Sequence, residues 1–360
     1  MATSTATRSA NGLDEMTVGA PRSAREALQS GAISLDALRA AHRMRDGRSV
    51  LDVVVTIASF IAVPVLFGAL PRWWTVVVLA LFAIRNFNCA AQLVHESDHG
   101  TLFQHPRANR AFGNLFAYLL GYTRSGHRTA HMDHHLYLNT ERDPDIIFSQ
   151  PHGSAAAMLK GLLGDLFFVS ALKRLLQYSQ TDRATFSVSP WRRLTPRHVA
   201  QAVRSMVPVV LTQVVLFAVY TMAGGPWAYL LLHVLPIMTL YPLQIRVRSI
   251  AEHSFDAGYH PDSPQDAWVT RTSRLNFLER WIVAPFGQYL HYEHHVFPGV
   301  PNYNLGRVHR LLVDAGIPVP TNRSYFGFVF LKIRAGGAGR PASGPRTESA
   351  RPARSRRGEG

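Results

Sequence analysis

The amino-acid sequence predicts an all-α integral membrane protein, in which four transmembrane helices form two hairpins beneath a cytoplasmic helical cap. Four apolar runs are each long enough to cross the ~30 Å hydrocarbon core of a bilayer as a helix. The formal net charge is +15, yet only 17% of the 360 residues are charged. Because soluble domains usually contain ~25% charged residues, the positive charge must be confined to a few segments. Most of the 17 histidines fall outside the apolar runs.

The four apolar runs pair along the chain. They lie at residues 51–70, 73–94, 206–222 and 227–245. Pro71-Arg72 separates the first two runs, and Gly224-Gly225-Pro226 separates the last two. Proline and glycine are typical of tight turns, so each pair is predicted to form a helical hairpin. A buried core helix would explain any one run, but four runs paired by turns, with tryptophan near the turns, favour membrane spans.

Lysine and arginine are distributed unequally between the connecting segments. The turn of the first hairpin holds one arginine and that of the second none, whereas residues 95–203 hold twelve lysines or arginines. The positive-inside rule therefore places both termini and this middle segment in the cytoplasm. The predicted organisation is a cytoplasmic N-terminal segment (1–50), a membrane domain (51–334) and a disordered basic C-terminal tail (335–360).

The two terminal segments suit a membrane surface better than nucleic acid. The C-terminal tail has no large apolar side chain, and its arginines suit an anionic lipid surface. No basic platform with interleaved aromatic residues accompanies it, so no nucleic-acid partner is expected. Residues 1–50 lack the apolar core of a signal peptide. Residues 31–46 have the apolar spacing of a short amphipathic helix, although a partly ordered tail would also explain them.

Three histidine-rich motifs follow in order along the predicted cytoplasmic segments. They are His95-Glu-Ser-Asp-His99, His131-Met-Asp-His134-His135 and His291-Tyr-Glu-His294-His295. These 15 residues hold eight histidines, where the chain's own histidine frequency predicts fewer than one. On a helix, residues three and four apart share a face, so each motif is predicted to present two or three imidazoles to one point. Solvated or hydrogen-bonded histidines would explain a single motif far better than three.

The motifs indicate a metal site. Neutral imidazole is a good ligand for iron, copper, nickel or zinc, and a metal removes the repulsion that clustered protonated imidazoles would suffer. Eight imidazoles exceed the four ligands of one tetrahedral zinc and suffice for two metals with positions left open. Because His95 follows the second apolar run directly, this histidine-rich dimetal site is predicted in the cap, at the cytoplasmic mouth of the helix bundle.

The motifs and their flanks resemble those of a known family. The order His-x3-His, His-x2-His-His and His-x2-His-His, interleaved with two apolar hairpins, is similar to that of the membrane-bound fatty acid desaturase superfamily. Residues 134–145 resemble the second motif of bacterial acyl desaturases, and residues 291–305 resemble their third motif. Residues 248–253 resemble the additional histidine region that precedes the third motif. The resemblance extends over roughly residues 50–315.

This resemblance implies a function and its cofactors. It implies two iron ions that activate O2, and a double bond introduced into a fatty acyl or lipid chain with electrons from an external donor. The sequence has no dinucleotide-binding motif and no recognisable fused cytochrome b5-like segment, so a separate ferredoxin, rubredoxin or cytochrome b5-like protein is expected to supply the electrons. The resemblance also implies a bacterial inner membrane. Zinc could replace iron in a preparation, since imidazole sites accept both.

The resemblance assigns nine metal ligands. They are His95, His99, His131, His134, His135, His253, His291, His294 and His295. One departure concerns Ser249, because some members have an asparagine four residues before the additional histidine, where it helps to hold a metal-bound water. In this chain that contact is either absent or made differently.

Six carboxylates lie inside or beside the motifs. They are Asp98, Asp133, Asp143, Asp145, Glu252 and Glu293. We expect Asp98 and Glu252 either to accept hydrogen bonds from imidazole N–H groups or to be solvated. The other four carboxylates have the same two interpretations.

Three further histidines are interpreted as residues that bind no metal. His127 lies four residues before His131, which would suit a ligand, but a hydrogen-bonded neighbour is favoured. His233 lies inside the fourth apolar run and is interpreted as a hydrogen-bonded polar group between helices. His309 has no partner at motif spacing and is interpreted as a structural or surface residue.

Several functions remain open on the sequence alone. A hydroxylase or carotenoid ketolase of the same superfamily has similar motifs, and a desaturase could instead act on a natural-product acyl chain or amino acid. A metal-binding membrane transporter would also contain clustered histidines. A transporter would, however, place polar residues within the spans, where this sequence has few.

Overall fold

The computed structural model describes residues 23–70, 73–138, 143–145, 154–172, 196–253 and 270–335. Within these residues the fold is helical, apart from one short pair of strands. The helices are α1 (Ala24–Gln29), α2 (Leu35–Ala41), α3 (Asp46–Ala69), α4 (Trp73–His99), α5 (Pro106–Leu119), α6 (Arg124–Leu136), α7 (Ala155–Leu166), α8 (Pro196–Gly224), α9 (Leu235–Met238), α10 (Leu240–Glu252), α11 (Phe277–Ile282), α12 (His291–Val296), α13 (Leu305–Asp314) and α14 (Tyr325–Arg334).

Three smaller elements complete the described fold. A π-helical segment, Leu230–Val234, leads directly into α9. The strands β1 (Thr272–Ser273) and β2 (Thr321–Asn322) pair in parallel. The predicted turn at Pro71-Arg72 and the predicted tail from residue 336 onwards lie outside the described residues, as do residues 1–22.

Four helical segments of the described chain are long and apolar enough to cross a membrane, which confirms the predicted number of apolar helices. They lie in α3, α4, α8 and the segment Leu230–Glu252. Helix α4 continues beyond the predicted second span to His99, and the fourth segment continues beyond its predicted span to Glu252. Hydropathy marks where apolar residues stop, whereas helical hydrogen bonding continues through polar residues that face the protein.

Helix α4 lies at the centre of the described fold. Phe87 and Ala90 on this helix are fully buried, together with Phe116 and Ala117 of α5. Helix α8 differs, since Leu211 is 61% exposed and other apolar side chains on it are similarly uncovered. A soluble protein rarely leaves so much apolar surface on one helix, so α8 has the surface expected for lipid contact.

Helices α3 and α8 approach each other backbone to backbone. A Cβ atom at Gly68 would lie 2.2 Å from the carbonyl oxygen of Ala223, and one at Gly224 would lie 2.8 Å from the carbonyl oxygen of Pro64. Small residues allow such close packing between membrane helices. A larger side chain at either glycine would therefore force the two helices apart.

The N-terminal helices pack against the C-terminal part of the chain. The predicted amphipathic segment 31–46 contains α2, and its Ile33 and Ala41 are buried in one cluster with Val308 of α13. Asn304 donates a hydrogen bond from Nδ2 to the carbonyl oxygen of Ala41 at 2.8 Å. This interface holds the segment that follows the third histidine motif.

Two arginines of the apolar helices are paired inside the protein. Arg246 makes two hydrogen bonds of 2.6 and 3.1 Å to the fully buried carboxylate of Asp165 in α7. Parallel charge-assisted hydrogen bonds of this kind offset the cost of burying both charges. Arg85, predicted to face the bundle or a substrate tunnel, lies over the ring of Trp281 in α11, 5.0 Å from its centroid.

Candidate metal centre

Four separate elements carry the nine histidines of the predicted site. The first motif lies at the end of α4, the second on α6 and the third on α12, while His253 follows directly on α10. Helix α6 begins after Thr123, whose side chain accepts a hydrogen bond from the N–H of Gly126, as is typical of a helix N-cap. The ends of helices that are far apart in sequence therefore converge on one place.

The structure brings all nine imidazoles together in two groups, and in each group one ring nitrogen of every histidine lies within 4.8 Å of the others. The five-imidazole cluster consists of His95, His99, His131, His135 and His294. The four-imidazole cluster consists of His134, His253, His291 and His295.

Each motif presents two imidazoles to one cluster, as predicted, but the second and third motifs each give their remaining histidine to the other cluster. His131 and His135 share the five-imidazole cluster, whereas His134 belongs to the other one. In the third motif the assignment is reversed, since its first and last histidines belong to the four-imidazole cluster. Adjacent helical residues point about 100° apart, so the two neighbouring histidines of each motif face different clusters.

The Nε2 atoms have the spacing of ligands around a metal ion. Neighbouring Nε2 atoms are 2.8–3.1 Å apart in the five-imidazole cluster and 3.1–3.3 Å apart in the four-imidazole cluster. Two nitrogen ligands about 2.1 Å from one ion lie about 3.0 Å apart at a right angle and about 3.4 Å apart at the tetrahedral angle. A set made only of imidazole nitrogens suits iron, copper or zinc rather than magnesium or calcium. These residues therefore fit two transition-metal ions.

Burial favours the neutral, ligating form of most of these imidazoles. Burial first, and then the neighbouring imidazoles, lowers the pKa of His131, His294 and His295 well below the ordinary value. The pKa values of His135 and His291 are lowered for the same reasons. A low dielectric disfavours the charged ring, so little proton competition opposes metal binding at these five residues.

Asp143 orients one imidazole of the four-imidazole cluster. Its Oδ1 atom accepts a hydrogen bond of 2.9 Å from Nδ1 of His134, and both side chains are almost completely buried. Burial alone would lower the pKa of His134, but the Asp143 carboxylate, with smaller contributions from Asp145 and Glu252, outweighs burial and raises this pKa to about 9. Because Nδ1 donates to Asp143, Nε2 is left to face the cluster, which is how carboxylates commonly orient metal-binding histidines.

Ser249, one turn before His253, contributes its backbone carbonyl group to the site. The carbonyl oxygen of Ser249 accepts a hydrogen bond of 3.0 Å from Nδ1 of His253. This contact orients the imidazole of His253, and it does not depend on the side chain at position 249. The replacement of asparagine by serine therefore leaves this backbone contact available.

Glu252 lies beside the four-imidazole cluster but is held mainly by other residues. Its carboxylate is 3.7 Å from Nδ1 of His291, which is beyond hydrogen-bonding distance. The Nε atom of Arg248 lies 2.9 Å from both carboxylate oxygens, and the hydroxyl of Tyr325 donates to Oε1 at 2.6 Å. Glu252 therefore neutralises a partly buried arginine next to the cluster, a role that neither sequence interpretation anticipated.

Asp98 reaches the five-imidazole cluster through an intermediary. It accepts a hydrogen bond of 2.6 Å from Nδ1 of His127 and lies 3.2 Å from Nε of Arg124. The His127 ring stacks on the His131 ring, with centroids 5.8 Å apart and planes inclined by 22°. His127 belongs to neither cluster, in agreement with its interpretation as a hydrogen-bonded neighbour.

Glu293, inside the third motif, points away from both clusters. It accepts hydrogen bonds from the Thr272 hydroxyl and, at 2.5 Å, from Nδ1 of His309. The hydrogen bond to Glu293 raises the pKa of His309. His309, interpreted from the sequence as a structural or surface residue, thus hydrogen-bonds α12 on the side away from the clusters.

Glu96 is a site residue that the sequence analysis did not single out. It is 3% exposed and accepts hydrogen bonds from the Thr101 hydroxyl at 2.8 Å and from the backbone N–H of Asn302 at 3.0 Å. These contacts connect the first motif with the loop that follows the third. The only sequence signal for this role is the position of Glu96 between two predicted ligands.

Comparison with known proteins agrees with this geometry. The family model described as Fatty acid desaturase matches residues 71–323. The curated protein dihydrorhizobitoxine desaturase of Bradyrhizobium elkanii is 26% identical over 253 residues, which cover 66% of this chain and 68% of the relative. The family resemblance inferred from the histidine motifs is confirmed.

Proposed function

Because this chain belongs to the fatty acid desaturase family, we propose that it is a membrane-bound, O2-dependent oxidoreductase that introduces a double bond into an acyl or lipid chain. The observation that carries this proposal is the convergence of nine imidazoles in two clusters at ligand spacing. The clusters form at the ends of two helices that are apolar enough to cross a membrane. A chain embedded in the bilayer could thus reach the site from between the helices.

We assign one iron ion to each cluster, with five imidazole ligands in one and four in the other. Two iron ions bound there would supply the reductive activation of O2 that is needed to attack an unactivated C–H bond. In the balanced reaction, a CH2–CH2 unit loses two hydrogens to become CH=CH. One O2, two electrons and two protons enter the reaction, and two water molecules leave.

The residues around the clusters orient the ligands and exclude water. Asp143 and the Ser249 carbonyl hold the Nδ1–H groups of His134 and His253, so both rings are fixed before a metal binds. His134 is 2% exposed and His294 is 5% exposed, which limits the access of bulk water to the reacting centre. Such a dry site protects reactive species from side reactions.

The proposed topology follows from charge and helix order. The four spans form two hairpins, the histidine-bearing helix ends form a cytoplasmic cap, and both termini lie in the cytoplasm of a bacterial cell whose inner membrane holds the protein. The proposed units remain 1–50, 51–334 and 335–360. The excess of lysine and arginine between the second and third spans supports this orientation.

An external protein is proposed to supply the electrons, with ferredoxin, rubredoxin or a cytochrome b5-like protein as candidates. A cavity of 510 Å³ beside the third motif is lined by Arg45, Arg48 and Arg280, with Asp52 as the only carboxylate among the described lining residues. Such a basic surface would attract an acidic donor at a distance. The rate with a purified acidic donor should fall steeply as ionic strength rises from about 50 mM to about 300 mM, because salt screens this attraction.

Charge reversal provides a matched test of this docking surface. Arg280→Glu should weaken the salt dependence, whereas Arg25→Glu, an exposed arginine on α1 away from this cavity, should leave it unchanged. A rate that is independent of ionic strength would argue against electrostatic attraction of the donor.

A second substrate class is favoured by a specific observation. The curated relative is named for dihydrorhizobitoxine, not for a fatty acid. A desaturase of a natural-product acyl chain or amino acid therefore stands beside the lipid desaturase as a candidate. A hydroxylase or carotenoid ketolase would use the same ligands but leave oxygen in the product.

Mass spectrometry of the product tests the proposed function. Lipid and metabolite profiles of cells with and without the protein should differ by species two hydrogens lighter than their precursors. His134→Ala should remove those species and lower the iron content together. A product heavier by one oxygen would favour the hydroxylase, and unchanged oxidation by an iron-free variant would exclude the diiron proposal.

A further inference from the structure

A narrow cavity runs along the fourth apolar segment, beside the metal centre. Its volume is about 250 Å³, slightly below the roughly 300–1,000 Å³ of pockets for drug-sized ligands. One wall is formed by His233, Val234, Ile237, Met238, Tyr241 and Pro242. These positions recur every three to four residues, so they form a single helical face.

The length of this face limits what the cavity can hold. At about 1.5 Å per helical residue, the stretch from His233 to Pro242 is about 13 Å long. An extended chain of about eleven bonds spans this distance, at about 3.5 Å for every three bonds. The cavity therefore suits a slender chain of limited length.

The near end of the cavity is separated from the five-imidazole cluster by one side chain, His127. His127 and Tyr122 line this end, and their rings stack with centroids 5.4 Å apart. The other face of His127 stacks on His131, a member of the cluster. A chain in the cavity would therefore have one end close to the metal centre.

The far end is formed by a buried imidazole with an unpaired nitrogen. His233 is 2% exposed, and its Nδ1 atom has no hydrogen-bond partner among the described residues, so its interpretation as a hydrogen-bonded polar group is wrong for this atom. A buried polar atom without a partner is costly. The residue also lies in the π-helical segment Leu230–Val234, and such segments are frequent at functional sites.

The neighbours of His233 hold its ring in place without satisfying this nitrogen. Tyr229 stacks on His233, with centroids 5.2 Å apart and planes inclined by 18°. The Tyr229 hydroxyl donates to Oε1 of Gln213 at 2.6 Å, and Nε2 of Gln213 donates to the carbonyl oxygen of Tyr118 at 2.6 Å. Since Gln213 fixes the Tyr229 hydroxyl, neither side chain turns to His233, and Nδ1 is left for a ligand.

We infer that the substrate lies along this cavity and carries a hydrogen-bonding group at the end far from the metal centre, where His233 binds it. This inference rests on the proposed function and narrows its substrate class. The substrate is a short amphipathic molecule whose part inside the cavity has about eleven bonds or fewer and ends in a hydroxyl, amine or amide. A long saturated chain ending in a methyl group would exceed the cavity and leave Nδ1 of His233 unpaired.

Two probes of equal length, 1-octanol and n-nonane, test whether His233 binds a polar group at the end of the chain. A hydroxyl both donates and accepts, so it suits either tautomer of His233. Dissociation constants are measured for the iron-free full-length protein in nanodiscs, with empty nanodiscs subtracted. The ratio of the dissociation constant for n-nonane to that for 1-octanol should be about five-fold larger in the wild-type protein than in His233→Phe. A factor of this size is expected for one net hydrogen bond.

Two further variants serve as controls. Met238→Leu changes another lining residue without removing a polar atom, so the preference for 1-octanol should stay as in the wild type. Ala171→Phe places a ring in the cavity, so both probes should bind at least ten-fold more weakly. Unchanged binding of both probes to Ala171→Phe would overturn the inference, and so would an equal octanol preference in the wild type and His233→Phe.

A spectroscopic measurement keeps the test decisive if His233→Phe fails to fold. In wild-type protein labelled with ¹⁵N-histidine, 1-octanol should shift the Nδ1 resonance of His233 and n-nonane should not, whereas no shift with 1-octanol overturns the inference. Because binding is measured without iron, the result is independent of turnover. A protein that binds 1-octanol through His233 but never forms an O2-dependent product would refute the proposed function and leave the ligand site standing.

Discussion

The two imidazole clusters are built by different means. The four-imidazole cluster has fewer ligands, but Asp143 and the Ser249 carbonyl fix the Nδ1 atoms of two of them. The five-imidazole cluster has one ligand more, and no carboxylate in the described part of the chain accepts a hydrogen bond from its Nδ1 atoms. The Nδ1 atom of His95 lies 3.5 Å from Glu96 without forming a hydrogen bond. One site thus depends on preorganised ligands, and the other on their number.

Loss of one ligand should affect the two clusters unequally, and this is the largest expected effect. His134→Ala leaves three imidazoles and should reduce bound iron from two ions per chain to about one, with product formation falling more than about 100-fold. His294→Ala leaves four imidazoles in the other cluster and should retain most of its iron, although its activity also falls. Elemental analysis together with product mass spectrometry measures both quantities.

The matched control is His42→Gln, which changes an exposed histidine outside both clusters and should alter neither quantity. Equal loss of iron from both alanine variants would contradict the expectation that the five-imidazole cluster retains its iron after losing one ligand whereas the four-imidazole cluster does not.

Removal of an orienting carboxylate should have a smaller effect. Asp143→Asn retains the shape of the side chain but not the charge that holds His134, so iron affinity at the four-imidazole cluster should fall 10- to 100-fold, as is typical for such partners. Asp98→Asn is the matched comparison, since Asp98 hydrogen-bonds His127, which belongs to neither cluster. Competition with a chelator measures both affinities, and similar losses in the two variants would show that Asp143 has no special role.

Loss of the hydrogen bond between His309 and Glu293 of α12 should have the smallest effect, a loss of stability that depends on pH. Glu293 raises the pKa of His309, so the stability from this pair is fully present below the ordinary histidine pKa of about 6.5. It is lost as pH rises through the raised pKa. His309→Gln should therefore destabilise the protein more at pH 6 than at pH 9, by less than about 1 kcal/mol because His309 is partly exposed.

Chemical unfolding at the two pH values measures this difference. Since α12 supplies ligands to both clusters, iron content should stay near two ions per chain in His309→Gln. A destabilisation that grows with pH would show that the contact with Glu293 does not involve a protonated His309.

The sequence alone predicts the four apolar helices and the residues that meet at the site, because hydropathy and motif spacing are local properties. It fails on how His134 and His135 divide between clusters, since residues three and four apart both lie near the face of the first histidine, and only the packed helices decide which centre each one meets. The partners of Glu252 and Glu293 also escape prediction. Arg248, Tyr325 and His309 reach them through tertiary packing that no spacing rule describes.

We propose that two iron ions occupy the two separate imidazole clusters. An experimental structure with anomalous diffraction at the iron edge tests it most directly. We expect two iron peaks, each about 2.1 Å from its ligand nitrogens. One should be bound by Nε2 atoms of the five-imidazole cluster, including His131 and His135, and the other by those of the four-imidazole cluster, including His134 and His253. A single iron bound jointly by His134 and His135, or iron outside both clusters, would contradict it.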